Sequence, residues 1–464
     1  MNIDKEFERT IDAWIEGNKE SYLKDLASLI KIKSVSKAGE DGYPYGKGCH
    51  DVLVKASGIA TSYGFSVENP EDKYLLINYG EQEGKKIGIF NHMDVVPEGE
   101  GWENPPYELT QKDGFLIGRG VADNKGAGVA SLYALRYLKE HGIALKHPVT
   151  LFYGAAEETT MDDIESFKKT KGAPEFAFVP DTNFPVCHGE KGNMRFSISI
   201  PVDPNVVVEL KAGDVINAVP SYALAMLNGE FEVSGNNIKV TVEDGKTKIE
   251  AAGTAGHAAF PEQSDNAVRT LFSALRGISG LSGYVRACFE RLYRAVEFDY
   301  GEGLGIDCSD EASGRLTSMG TILRYQDGKV RLSFDTRTPV TISVDEIDAK
   351  LRSFAADNGF EYELESSSTP SYTPLDSDVV TLLCDIASHI YGPDLKPYTM
   401  GGGTYCRKLP FALGFGPGIP NAPNLYSNGK GNGHQSDECI LLSLLLTDIK
   451  AAVLALIGLD KIIE

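Results

Sequence analysis

Positive charge is scarce in this sequence: 45 Lys and Arg face 66 Asp and Glu, a formal net charge of −21. That balance excludes nucleic acid as an expected partner, because phosphates are held by Lys and Arg in excess. Long hydrophobic runs are also missing. No apolar stretch approaches the ~20 residues that cross a bilayer, so no membrane partner is expected. Residues 1–9 are mixed in charge and lack the apolar core of a secretion signal. The seven Cys are scattered and odd in number, with no CxxC pair and no disulfide framework. Reduced thiols fit a cytoplasmic chain, and Cys187, Cys406 and Cys439 read as small buried residues. There is no low-complexity tract and no short-period repeat.

What is present is enough chain for two domains: 464 residues, 42% hydrophobic and 24% charged, exceed what one core usually organises. Helical periodicity marks residues 21–33, 50–63 and 127–139. Short apolar strands alternate with these helices through Asp181, as they do in an open α/β fold with a mixed, mostly parallel sheet and helices on both faces. After about Arg195 the pattern changes to half-exposed antiparallel strands at 196–202, 238–242 and 248–252. Asn228-Gly229 and Asp244-Gly245 read as hairpin turns, and 266–281 reads as a helix. Strands at 315–325, 329–336 and 360–365 and a helix at 344–358 follow. The α/β texture resumes at Thr373, with helices at 378–391 and 437–457 around a strand at 411–415. The expected organisation is a discontinuous catalytic domain, 1–194 and 372–464, interrupted by an α+β lid, 195–371, with two apparent lobes.

Three predicted strands end on metal-type ligands: 86–94 on His92 and Asp94, 149–158 on Glu157 and Glu158, and 176–181 on Asp181. Ligands of open α/β sheets bind outside the carboxyl ends of the strands. His92-x-Asp94 allows the imidazole to ligate while Asp94 accepts its second ring N–H, although a plain surface pair fits as well. Of two adjacent carboxylates, one can bind an ion while its neighbour takes a proton from metal-bound water. Asp123 lies in a Gly-flanked turn before a helix, where a short carboxylate also serves as an N-cap. His434 sits in a loop, Gly431-Asn-Gly-His434-Gln-Ser-Asp437. Each residue has an ordinary reading by itself; their recurrence at one sheet edge points to a metal-dependent enzyme.

The ordered runs 91–97, Trp102, Pro105-Pro106 and Gly118-Arg119-Gly120-Val121-Ala122-Asp123-Asn124-Lys125-Gly126 resemble the co-catalytic metallopeptidases related to carboxypeptidase G, aminoacylase and carnosinase. Within them the chain is most similar to bacterial PepV-type dipeptidases. The resemblance implies a dinuclear site. Asp123 would bridge two ions, with Glu158 and His434 completing one and His92 and Asp181 the other. Glu157 would be the general base and Asp94 the residue that orients His92. A cis bond is implied at Asp123–Asn124. Imidazole with carboxylate suits Zn²⁺ best, and an oxygen-rich shell also admits Mn²⁺ or Co²⁺.

In the lid, Thr254-Ala-Gly-His257 matches the family's oxyanion-binding histidine. Asn217 and Arg337 match substrate-contacting positions, and the Arg337 guanidinium fork suits a peptide carboxylate. Gly401, Gly402 and Gly403 would bring backbone N–H groups to the same carboxylate; no GK[ST] follows, so this is no phosphate loop. The implied activity is hydrolysis of unblocked dipeptides, Xaa-Xaa or Xaa-His, by a hydroxide bridging two metals. N-acyl-amino-acid deacylation is the enzymatic alternative. A catalytically silent binding protein of the same fold is the reading from another class, and the intact base and ligands argue against it. The longer lid resembles the form that is complete within one chain, so a monomer acting on a small peptide is expected.

Overall fold

Strands that are apolar on both faces can only be satisfied by cover on both sides, and the central sheet of the computed structural model shows that cover. The structure describes residues 4–81, 83–426 and 429–463; residues 1–3 of the mixed-charge amino terminus lie outside it. The chain divides into two compact units. One comprises Met1–His188, Thr373–Tyr398 and Gly403–Glu464, and the other Gly189–Tyr372 with Thr399–Gly402. The expected lid therefore begins about six residues earlier in chain packing, and a four-residue excursion at 399–402 joins it.

In the first unit the sheet runs in the order Ser66–Glu68, Tyr74–Tyr79, Val149–Gly154, Ile87–His92, Phe176–Val179, Ala412–Gly414 and Cys187–Glu190. Its centre is parallel: Ile87–His92 pairs in parallel with Val149–Gly154 and Phe176–Val179, which pairs in parallel with Ala412–Gly414. Its flanks are antiparallel. Side chains alternate in register with the pleat. Leu75, Ile77, Ile89, Leu151, Tyr153 and Phe178 enter one core, shared with helices Lys5–Ile30, Lys47–Ser62, Lys125–Glu140, Asp378–Tyr391 and Leu442–Ile462. Tyr74, Leu76, Phe90, Phe152, Ala177 and Val179 enter a smaller one on the other face, with Ile164 and Phe167 of helix Asp162–Lys171.

Three helices of this unit differ from expectation, one of them, Asp162–Lys171, having no counterpart in the sequence reading. The first spans Lys5–Ile30 rather than 21–33, because Ile11 and Ile15 continue its buried stripe among charged residues. It ends where the buried Lys125 ammonium donates to Leu29 O (3.0 Å) and Ile32 O (2.9 Å), a C-terminal cap. The last, Leu442–Ile462, is long and apolar enough to cross a membrane, contrary to the expectation that no run approaches that length. Asp448, Lys450, Asp460 and Lys461 interrupt it, and its buried residues, Leu445, Ile449, Val453 and Leu456 among them, belong to the core of this unit.

The second unit is an eight-stranded antiparallel sheet. Its order is Ile238–Glu243, Lys246–Ala252, Tyr222–Asn228, Val207–Ala212, Thr317–Gln326, Lys329–Thr338, Gly192–Pro201 and Glu361–Ser368. Met194, Phe196, Ile198 and Ile200 alternate into one core beneath helices Ala267–Arg276, Gly283–Val296 and Val344–Asn358. The two apparent lobes are thus halves of a single sheet over a single core. Helix Gly283–Val296, capped by Ser282, had no counterpart in the sequence reading. Asp244-Gly245 is the expected hairpin turn, with φ 49° and 70°. Asn228-Gly229 is not one, because both flanking strands pair with Lys246–Ala252 instead of each other.

Candidate metal centre

Parallel neighbours present their carboxyl ends on the same edge. His92 is the last residue of its strand and pairs in register with Gly154, so the residues after Gly154 and Val179 emerge beside it. Asp123 arrives from the turn that opens helix Lys125–Glu140, and His434 from the loop before the last helix. His92 Nε2 lies 2.9 Å from Asp123 Oδ1 and 3.8 Å from Asp181 Oδ2. His434 Nε2 lies 3.0 Å from Asp123 Oδ2 and 3.0 Å from Glu158 Oε2. Asp123 therefore belongs to two donor sets, His92–Asp123–Asp181 and Asp123–Glu158–His434, and within each the donor atoms lie within 4.8 Å of one another. All five ligands expected from the sequence meet at one place, and the Asp123–Asn124 peptide is cis.

The electrostatics say what this cluster needs. Burial raises Glu157 well above the usual glutamate range, and the charges of Asp181, Glu158 and Asp123 add to it despite His92. Burial and Asp123 likewise raise Glu158 and Asp181. Asp123 goes the other way: His434 and His92 overcome its burial and hold it low. Burial disfavours a charged His92, yet Asp123 and Asp94 outweigh it and raise it well above the ordinary imidazole value. His434 is raised to about 11 by Asp123 and Glu158. Acids crowded so closely repel one another, and imidazoles can relieve this only by staying protonated. Divalent cations relieve it better and free both rings to ligate. The mixed imidazole and carboxylate donors fit a pair of such ions.

The Asp94 carboxylate has a larger task than the sequence indicated. It lies 3.4 Å from His92 Nδ1, whose nearer partner is the Asp94 backbone carbonyl at 2.9 Å. Its two oxygens accept the backbone N–H groups of Glu157 (3.2 Å) and Glu158 (3.1 Å). Asn124 was not singled out from the sequence. Its amide donates to Pro180 O (2.7 Å) and Asp181 Oδ1 (2.9 Å), and its Oδ1 accepts from Asn91 (2.7 Å). Glu438 was missed as well. One of its oxygens accepts the N–H groups of Gly120, Ala122 and Asp123, and the other pairs with Arg119 at 2.7 Å. Arg119 in turn lies over Trp102, which links three of the motif segments through buried groups.

The remaining expected residues fall in the second unit, except Gly403. Ala218 pairs with His257, and Asn217 O accepts the Ala258 N–H at 2.9 Å, so Asn217 and His257 share one small ribbon. His257 is exposed, not a buried structural histidine. Its Nδ1 accepts the Ala259 N–H at 3.1 Å, which places the proton of a neutral ring on Nε2. Arg337 is 6% exposed, and the Nε/Nη2 side of its fork is taken by Asp335 at 2.6 and 2.9 Å. Its Nη1 donates to Gly401 O at 3.0 Å. What Arg337 can offer a ligand is therefore the terminal Nη1/Nη2 edge, not the whole fork. A Cβ on Gly401 would lie 3.2 Å from Ala259, so this turn abuts the His257 ribbon. Gly403 belongs elsewhere: a Cβ there would overlap the Arg407 guanidinium at 1.6 Å. It makes room for Arg407 and, unlike Gly401 and Gly402, groups with the first unit.

A parallel-centred α/β sheet whose carboxyl edge holds acids and imidazoles around a shared aspartate defines a metallohydrolase class. Residues 88–457 match the model of peptidase family M20/M25/M40, and the chain belongs to that family as a metallopeptidase. It is 29% identical over 472 residues to a putative dipeptidase, YtjP, of Bacillus subtilis (strain 168), covering 96% of this chain and 98% of that one. It is equally 29% identical over 477 residues to the Beta-Ala-Xaa dipeptidase of Lactobacillus delbrueckii subsp. lactis, covering 96% and 97%. Among solved structures, human carnosine dipeptidase 1 shares the fold with a TM-score of 0.60 at 13% identity, covering 98% of this chain and 99% of that one. The dipeptidase Dug1p of Saccharomyces cerevisiae also has a TM-score of 0.60, at 15% identity, covering 98% and 99%.

Proposed function

We propose that the protein is a dipeptidase that hydrolyses unblocked dipeptides of broad sequence with two divalent cations, Zn²⁺ or Mn²⁺ being the ions the donors suit. The observation that carries the reading is the pair of donor sets sharing Asp123 with Glu157 beside them. The end-to-end similarity to chains called dipeptidases narrows the substrate. His92, Asp123 and Asp181 would hold one ion, and Asp123, Glu158 and His434 the other. What such ions would supply there is polarisation of the scissile carbonyl and acidification of water. Glu157, raised by burial and its acidic neighbours, accepts the water proton and returns it to the leaving amine. On the family pattern we assign oxyanion stabilisation to His257, and substrate contacts to Asn217 and to the terminal edge of Arg337 beside Gly401. We also propose a monomer in the cytoplasm, where the scattered cysteines of a sequence with no CxxC pair would stay reduced.

The test is metal analysis of the purified protein beside a panel of Ala-Xaa and acetyl-Xaa substrates. Hydrolysis of the free dipeptides, abolished by chelator and restored by Zn²⁺ or Mn²⁺, is the expected result. Preference for the acetylated series would replace this reading with the deacylase.

A further inference from the structure

Glu157 hangs on a stretch of chain that no helix or sheet secures. Strand Val149–Gly154 ends three residues before it, and helix Asp162–Lys171 starts five residues after. The N–H groups of this stretch are held by side chains instead. Asp163 Oδ2 accepts from Ala155 (2.8 Å) and Ala156 (3.0 Å), and Asp94 accepts from Glu157 and Glu158. Two carboxylates, both 0% exposed, thus grip four successive peptide groups that end at the base and its ligand neighbour.

Asp163 is not occupied as an ordinary helix cap. The N-cap position is Met161, which makes no side-chain capping bond, and among the described residues Asp163 Oδ1 accepts only the adjacent Ile164 N–H at 2.7 Å. Its Oδ2 has a third donor, the hydroxyl of Tyr405, at 2.5 Å. Tyr405 is 1% exposed and packs edge-on to Phe152 with ring centroids 5.5 Å apart. Gly154 leaves the room for this arrangement, since a Cβ there would lie 1.8 Å from Tyr405 Oη and 2.4 Å from Asp163 Oδ2. A buried carboxylate so near Asp94 is a costly way to tie down a turn: burial and Asp94 together push Asp163 up to about 6. A neutral side chain would close a mere turn at less cost.

We propose that Asp163 and Tyr405 are positioning residues for Glu157: the Tyr405 hydroxyl fixes the Asp163 carboxylate, which fixes the Ala155 and Ala156 peptides and so the base that follows them. Asp94 secures the downstream half of the same stretch. This inference rests on Glu157 being the general base of the dipeptidase reading.

The experiment compares Tyr405→Phe, Asp163→Asn and Tyr74→Phe in the full-length, metal-loaded protein. Tyr74 lies in the same aromatic cluster but its hydroxyl bonds Thr170, away from the stretch, so it controls for the loss of a buried hydroxyl. Turnover of a free dipeptide, metal content and amide hydrogen exchange over residues 155–158 are measured for each. Tyr405→Phe and Asp163→Asn are expected to lower kcat by about 10- to 100-fold, the usual range for a supporting group. KM and metal content stay at wild-type values, and exchange at 155–158 speeds up. Tyr74→Phe keeps wild-type kcat and wild-type exchange there. Unchanged kcat in Tyr405→Phe overturns the proposal, as does an equal loss in Tyr74→Phe. If Asp163→Asn does not fold, Tyr405→Phe decides. If the wild-type protein hydrolyses no dipeptide, the functional reading fails by itself. Exchange at 155–158 then decides the positioning role, and an unaltered rate in Tyr405→Phe refutes it.

Discussion

Residue identity and strand position made the metal centre legible. A histidine at a strand terminus and acids two to four residues beyond two other strands share an edge once those strands run parallel, and His92, Asp181, Glu157 and Glu158 do. What the sequence concealed is the support: Asp94 holding the 157 and 158 peptides, Asn124 holding Asp181, and Glu438 holding the turn before Asp123. Such contacts join residues up to 318 positions apart, and no local pattern encodes them. Glu157→Gln keeps the shape but cannot accept a proton. It is expected to lower kcat by about 10²–10⁴-fold, the range of general acid–base catalysis, with metal content unchanged. Asp94→Ala frees two N–H groups and is expected to lower activity by about 10- to 100-fold, like other groups that orient metal ligands. Steady-state kinetics with metal analysis on both variants separates the two roles.

Elements were legible where periodicity was strong and were lost where charge diluted it. Helices Val344–Asn358 and Asp378–Tyr391 match their expected bounds, whereas residues 5–20 of Lys5–Ile30 and all of Gly283–Val296 were missed. In both missed stretches, Lys, Arg and Glu separate the buried residues, and only tertiary packing shows that those residues share a stripe. The last helix carries an element-scale prediction. Asp448 is buried within it, its Oδ2 has no hydrogen-bond partner among the described residues, and burial raises its pKa well above the ordinary aspartate value. A folded-state pKa above the unfolded one gives stability that is full below about 3.8, the unfolded value, and is lost as pH rises toward the folded pKa. Asp448→Asn removes the titration. Its unfolding free energy, followed by denaturant titration from pH 4 upward, is expected to fall less with pH than that of the wild type, so that the variant gains relative stability.

At the scale of the molecule, the acid cluster sets the response to metal. An ion that binds the folded chain and not the unfolded one stabilises it by mass action, about 2.7 kcal/mol at a hundredfold excess over Kd. Adding Zn²⁺ or Mn²⁺ to chelated protein is therefore expected to raise the thermal midpoint, with His434→Ala reducing the gain; calorimetry reads both. A single sedimenting species of one chain is expected in ultracentrifugation, and a stable dimer would count against the proposed monomer. The chain's order of residues by itself determined the α/β class and the candidate ligands and base, because strand ends, glycine turns and acid–imidazole spacing are local properties. Only the tertiary structure decided which flanks run antiparallel, that the main strands of the inserted segment form a single eight-stranded sheet, that Arg337 is already half engaged by Asp335, and that Gly403 leaves room for Arg407. Those outcomes depend on which distant side chains compete for the same hydrogen bonds and the same buried volume, and that competition exists only once the chain has folded.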